Sequence, residues 1–165
     1  MFFRDDAYPL VAVVSTVLAA TLVACGTPRP DLDLSLKHAS ERERFVVEME
    51  APARGPAIGE IHPWTLRLAT RDGAPVSHAR IAVGGGMPQH GHGLPTQPRV
   101  ASEVAPGAYV IDGVKFSMTG WWELRFDIDA AGLQDRAVFN VVLTDSGLRR
   151  QAASAASAVR PGNAS

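Results

Sequence analysis

Strict alternation of apolar and polar residues constrains this chain more than any other feature. Trp122, Leu124, Phe126 and Ile128 interleave with Glu123, Arg125 and Asp127. A period of two puts one set of side chains on one face of a strand and the other set on the opposite face. No helix could bury that apolar set together. The same pattern recurs at Trp64, Leu66 and Leu68, at Ala79, Ile81 and Val83, and at Ala137, Phe139, Val141 and Leu143. Phe45-Val46-Val47 and Tyr109-Val110-Ile111 are shorter apolar runs. Turn chemistry separates them: Asp72-Gly73-Ala74-Pro75, Pro106-Gly107, Asp112-Gly113 and Ala131-Gly132. The expected fold is all-β, an immunoglobulin-like sandwich of about seven strands over residues 42–145. Gly107-Ala108-Tyr109 adds a tyrosine after a tight corner, placed to hydrogen-bond back to the chain.

The N-terminal region reads as an address. Leu10 to Val23 carries no charge. At 14 residues it is short of the roughly 20 needed to span a bilayer and suits the apolar region of a signal peptide. Leu22-Val23-Ala24-Cys25 resembles a bacterial lipobox, which makes Cys25 the lipidated first residue of the mature chain. Arg4 is accompanied by Asp5 and Asp6, a departure from the usual positive start. An ordinary secretory signal with an incidental cysteine is the alternative reading. Residues 1–24 are thus expected to be a lipoprotein signal peptide. Residues 25–41 follow as lipidated cysteine and tether, and residues 146–165 as a disordered Ala/Ser-rich tail. The expected location is the bacterial cell envelope, on a membrane facing the periplasm. Gly26, rather than aspartate, after the cysteine points to the outer membrane.

Composition excludes several functions. There are 16 Lys and Arg against 17 Asp and Glu, so no basic field exists to hold nucleic acid. One cysteine can form neither an intramolecular disulfide nor a CxxC pair. Gly-x-Ser-x-Gly, P-loop and His-Glu-x-x-His motifs are absent. No nucleophile with an acid/base partner stands out, so the chain is not expected to be an enzyme. Trp121-Trp122 offers at most one exposed indole, too little for a sugar-stacking platform.

One segment differs from its surroundings: Gly84-Gly85-Gly86-Met87-Pro88-Gln89-His90-Gly91-His92-Gly93-Leu94-Pro95. Neutral imidazoles suit copper, zinc and nickel, and a thioether adds a preference for Cu(I). Met87, His90 and His92 are therefore candidate ligands. Met118 is a further soft donor, although its parity with Val114 and Phe116 puts it on the core face. His62 is a secondary candidate beside a more ordinary role as a turn histidine. His38 and His78 have no evident partner. The bland alternative is a long inter-strand turn with two solvated histidines and a methionine plugging the sandwich.

The order of motifs resembles the YtkA-like domain family, related to the FixH-like proteins. The residues that carry the likeness are Ile61-His62-Pro63-Trp64-Thr65-Leu66, Asp72-Gly73-Ala74-Pro75-Val76, Met87-Pro88-Gln89-His90, Pro106-Gly107-Ala108-Tyr109, Phe116-x-Met118 and Gly120-Trp121-Trp122. They span about residues 57–145. The resemblance implies a small extracytoplasmic β-sandwich, with relatives associated with copper supply and oxidase assembly. Carried over, the Met-Pro-x-His block falls on Met87, Pro88 and His90, and His92 and Met118 match the neighbouring pattern. The lipobox replaces the transmembrane helix of FixH-like proteins. The expected function is Cu(I) binding for storage or delivery to a copper-receiving envelope protein. The alternative is a metal-free envelope interaction or assembly module.

Overall fold

The computed structural model describes residues 31–149. The expected signal peptide, Cys25 and most of the expected tail lie outside the described residues. Ten strands form in chain order: β1 (Lys37–Ala39), β2 (Val46–Glu50), β3 (Ile61–Ala69), β4 (Arg80–Met87), β5 (His92–Gly93), β6 (Arg99–Ala105), β7 (Ala108–Lys115), β8 (Gly120–Ala130), β9 (Leu133–Thr144) and β10 (Gly147–Arg149). Seven of them have five or more residues, the number read from the alternation, and β1, β5 and β10 are short additions.

All pairings are antiparallel, in the order β1-β2-β3-β7-β6-β4-β8-β9-β10, with β5 added to β4. A single residue pair, Ala82 with Arg99, joins β6 to β4. At that weak seam the sheet curls, and its two halves close over one core. Trp64, Leu66, Leu68, Tyr109 and Ile111 face inward from one half. Trp122, Leu124, Phe126, Phe139 and Val141 face inward from the other. The alternation predicted from sequence is therefore the burial pattern observed. Aromatic edges interlock beneath one end, with Phe116 against both Trp64 and Trp122 at centroid distances of 6.2 and 5.3 Å.

Two features go beyond the expected boundaries. β1 and the turn after it belong to the domain, although residues up to 41 read as tether. The His38 ring lies 4.2 Å from that of Phe139, and the Glu41 N–H donates to the Arg136 carbonyl. β10 likewise extends the sheet past residue 145. β6 carries no alternation that would mark it, because most of its side chains are exposed on both faces. Trp121 is on the face opposite Trp122, as parity requires, but it is covered rather than exposed. Its indole N–H donates to Asn140 Oδ1 at 2.9 Å.

The Tyr109 hydroxyl behaves as the corner motif suggests, over a longer reach. It donates to the Val76 carbonyl at 2.6 Å and accepts from the Ala79 N–H at 3.0 Å. Burial raises the phenol pKa, so the hydroxyl keeps the proton it donates. Tyr109→Phe would leave two backbone groups of the β3–β4 connection unpaired. The expected loss is about 2 kcal/mol, read by urea denaturation. A loss within error of zero would show that this bond pair does not hold the connection.

Candidate metal-binding pole

The Met87-to-His92 segment is the tip of the β4–β5 hairpin. Met87 O accepts from both the His90 and the Gly91 N–H, each at 3.0 Å. Pro88 occupies the first loop position, where its fixed φ favours the turn. Gly91 takes φ +65°, which favours a residue without Cβ. Met87 then pairs with His92, and Gly86 with Gly93. The glycines serve this close approach. A Cβ added to Gly86 would overlap the His92 carbonyl oxygen, and one added to Gly85 would overlap that of Glu123.

Strand register brings the candidate residues to one end of the sandwich. Gly86 is paired with Glu123, three residues from the start of β8. Met118 lies in the connection from β7 to β8. His62 opens β3 opposite Val114, near the end of β7. The hairpin tip, the 116–119 connection and the start of β3 thus share a pole.

The side chains at that pole differ in availability. The His90 and His92 rings are exposed, with centroids 6.0 Å apart and planes at 80°. Met87 is 2% exposed and belongs to the core, its methyl end directed at Gly120. Met118 is 43% exposed, which corrects the core-face placement drawn from parity. β7 ends at Lys115, and the chain turns after the buried Phe116, so strand parity no longer applies there. The Met118 backbone is held, because its carbonyl accepts the Trp122 indole N–H at 3.1 Å.

His62 is engaged as a turn histidine. Its Nε2 accepts the Ala57 N–H at 2.9 Å, which places the proton of the neutral ring on Nδ1. His38 and His78, for which the sequence suggested no partner, both have one. His38 Nδ1 lies 2.8 Å from the Ala39 carbonyl oxygen, and His78 Nδ1 lies 3.7 Å from Glu103 Oε2, which also accepts the His78 backbone N–H at 2.9 Å.

The fit to a metal ion can be judged from spacing. An imidazole nitrogen lies roughly 1.2 Å from its ring centre and a metal–nitrogen bond is roughly 2.0 Å, so two rings on one ion have centres roughly 5–6.5 Å apart. The His90–His92 separation falls within that range, toward its wide-angle end. Among the described residues no three His, Cys, Asp or Glu side chains cluster to hold an ion. A site here therefore rests on two imidazoles, with any third donor a thioether. Ile58 and Ile61, 39% and 56% exposed, stand at the same pole. Neither was marked by the sequence, since an isolated apolar residue at a strand start carries no sign of exposure.

The YtkA-like family profile matches residues 40–127. No curated protein matches the chain. Among solved structures, the chain is similar to one described as the ZirS C-terminal domain. The identity is 14% and the TM-score 0.37, over 84% of this chain and 93% of that one.

Proposed function

The chain belongs to the YtkA-like family, and from that premise we propose that it is a lipid-anchored envelope protein that binds one Cu(I) ion at the His90–His92 hairpin. The observation that carries the proposal is the pair of exposed imidazoles at 6.0 Å on a turn fixed by its own backbone. Neutral nitrogen and thioether donors add no charge to the ion and match a soft monovalent cation. Met118, exposed at the same pole, supplies the third donor. Met87 acts from beneath, anchoring the hairpin in the core. Few ligands on a surface turn suit an ion that is stored briefly and handed on. Cys25, carrying lipid, fixes the domain to a membrane facing the periplasm.

The role is one of binding rather than catalysis. In the concavity lined by Glu41, Asp127, Asp129 and Asp135, the three aspartates are already committed. Asp127 pairs with Arg136 and Asp129 with Arg80, while Asp135 accepts backbone N–H groups and the Ser40 hydroxyl. One observation favours the metal-free alternative. The hairpin closes through Met87 O, Pro88 and Gly91 and needs no ion to do so.

Anaerobic titration separates the two. The chain without its leader, carrying Cys25→Ser to remove the thiol, is expected to take up about one Cu(I) against a competing chelator. His90→Ala combined with His92→Ala should abolish that uptake. Met118→Ala should weaken it about tenfold, equivalent to about 1.4 kcal/mol. Failure of the parent domain to take up Cu(I) would sink the copper reading and leave the interaction module.

A further inference from the structure

The tether emerges at the same pole as the histidines. β1 runs antiparallel to β2, and β2 antiparallel to β3, so β1 and β3 point the same way. β3 starts at the histidine pole. Traced backwards from Lys37, the chain therefore heads toward that pole. Leu36 accepts from the Met49 N–H, next to Glu50, which pairs with Thr65 midway along β3, so the chain before Leu36 runs on toward the start of that strand. A second contact fixes the level independently. The Asp33 carbonyl accepts from Asn140 Nδ2 at 2.9 Å. Asn140 pairs with Glu123, and Glu123 with Gly86 at the base of the hairpin. Asp33 is thus moored at the level of the hairpin's base, against the strand two across from β4, and Cys25 is only eight residues upstream of it. Fully extended, eight residues reach at most about 29 Å.

We propose that the pole bearing His90 and His92 faces the lipid bilayer that holds Cys25, with the exposed side chains of Ile58, Ile61 and Met118 resting on its surface. This rests on the lipid-anchor reading above and is independent of whether copper binds. The opposite pole also exposes apolar side chains, Val104 at 63% and Leu133 at 42%. It is set apart by roughly 30 Å, the length of the nine-residue strand β3 at about 3.3 Å per residue. A tether moored at Asp33 would have to run back along the whole sandwich to present that end to the membrane. The short leash keeps the near pole at high effective concentration against lipid, so a few apolar side chains suffice to orient it. The metal pole then exchanges its ion at the membrane surface rather than in open solution.

The test uses the full chain, matured in a bacterium that processes lipoproteins and reconstituted in phosphatidylethanolamine/phosphatidylglycerol vesicles. Ile58→Cys, Ile61→Cys, Val104→Cys and Leu133→Cys are each labelled with an environment-sensitive fluorophore. Quenching by headgroup spin-labelled lipid is then compared. Labels at 58 and 61 are expected to be quenched at least about threefold more than those at 104 and 133, given the separation of the poles. Equal quenching, or the reverse order, on an acylated chain would overturn the proposal alone. A mass for the N-terminal peptide showing an unmodified Cys25 would overturn it together with the anchor reading. Loss of Cu(I) binding would leave the quenching order unchanged.

Discussion

Alanine at Gly85 is expected to destabilise the domain by at least about 3 kcal/mol, whereas alanine at Gly86 should cost less stability and remove Cu(I) binding. The two glycines are neighbours on β4 but face different obstacles. An added Cβ at Gly85 would overlap the Glu123 carbonyl oxygen and press on the Leu124 backbone. Backbone cannot swing aside as a side-chain end can. β4 and β8 would have to part where Leu124 is fully buried in the core. At Gly86 the obstacle is the His92 carbonyl, with Gly93 behind it. β5 is two residues long and sits outside the main strand path, so it can peel away while the core stays closed. Peeling carries His92 away from His90. Gly84 provides the control. A Cβ there would meet the end of the Arg125 side chain at 2.9 Å, and that side chain can move, so Gly84→Ala should be near neutral. Urea denaturation and the Cu(I) titration together read all three. A Gly86→Ala chain that binds Cu(I) as tightly as its parent would refute a site built on the hairpin.

Much of this fold was legible in the sequence because burial here follows parity. Trp122 through Ile128 and Ala137 through Leu143 announce β8 and β9, since each strand has one face in a continuous core. Parity failed where that condition failed. β6 has no buried face to alternate with, and β1 and β10 are too short to show a period. Met118 was misplaced because its strand had already ended. The candidate site was legible as a composition, the Met-Pro-x-His-Gly-His run, and not as a geometry. Which methionine is buried depends on where β4 and β7 stop, and that is set by partners distant in sequence. Of the two expectations for Met87, the structure shows the core plug. Met87 plugs the end of the core, and in doing so it carries the exposed His90 and His92 at the tip of a rigid strand. The mooring of Asp33 by Asn140 was not visible at all, because the two are 107 residues apart.

The other large effect is expected from Asp135→Asn, through acid stability. Asp135 is 8% exposed, with its carboxylate beneath the turn that follows β1. Burial alone would push its pKa up. The Ser40 hydroxyl at 2.6 Å and the N–H groups of Arg136, Arg44 and Arg42 outweigh that and bring it down from 3.8 to about 2. These donors span the chain from β9 back to residue 40, so one carboxylate fastens the N-terminal segment onto the sandwich. An asparagine side chain keeps one acceptor and turns a donor toward N–H groups already facing it. The expected loss near neutral pH is on the order of 2 kcal/mol, within the range for hydrogen bonds to a charged group. Because the folded carboxyl titrates below its unfolded value, its stabilisation is complete above about pH 4. It fades as the pH falls toward about 2, where the unfolded carboxyl is protonated and the folded one half so, and is gone only below that. Allowing for solvent at the rim of the site, that titration is worth on the order of 1–2 kcal/mol. Glu103, Asp129 and Asp72 are also held below their ordinary range by hydrogen bonds, so the parent's acid limb is a composite. The difference between parent and variant isolates Asp135. Urea midpoints measured from pH 7 to pH 2 should show a gap that is constant down to about pH 4 and then narrows. A gap that stays constant to pH 2 would mean that the carboxylate's charge contributes nothing.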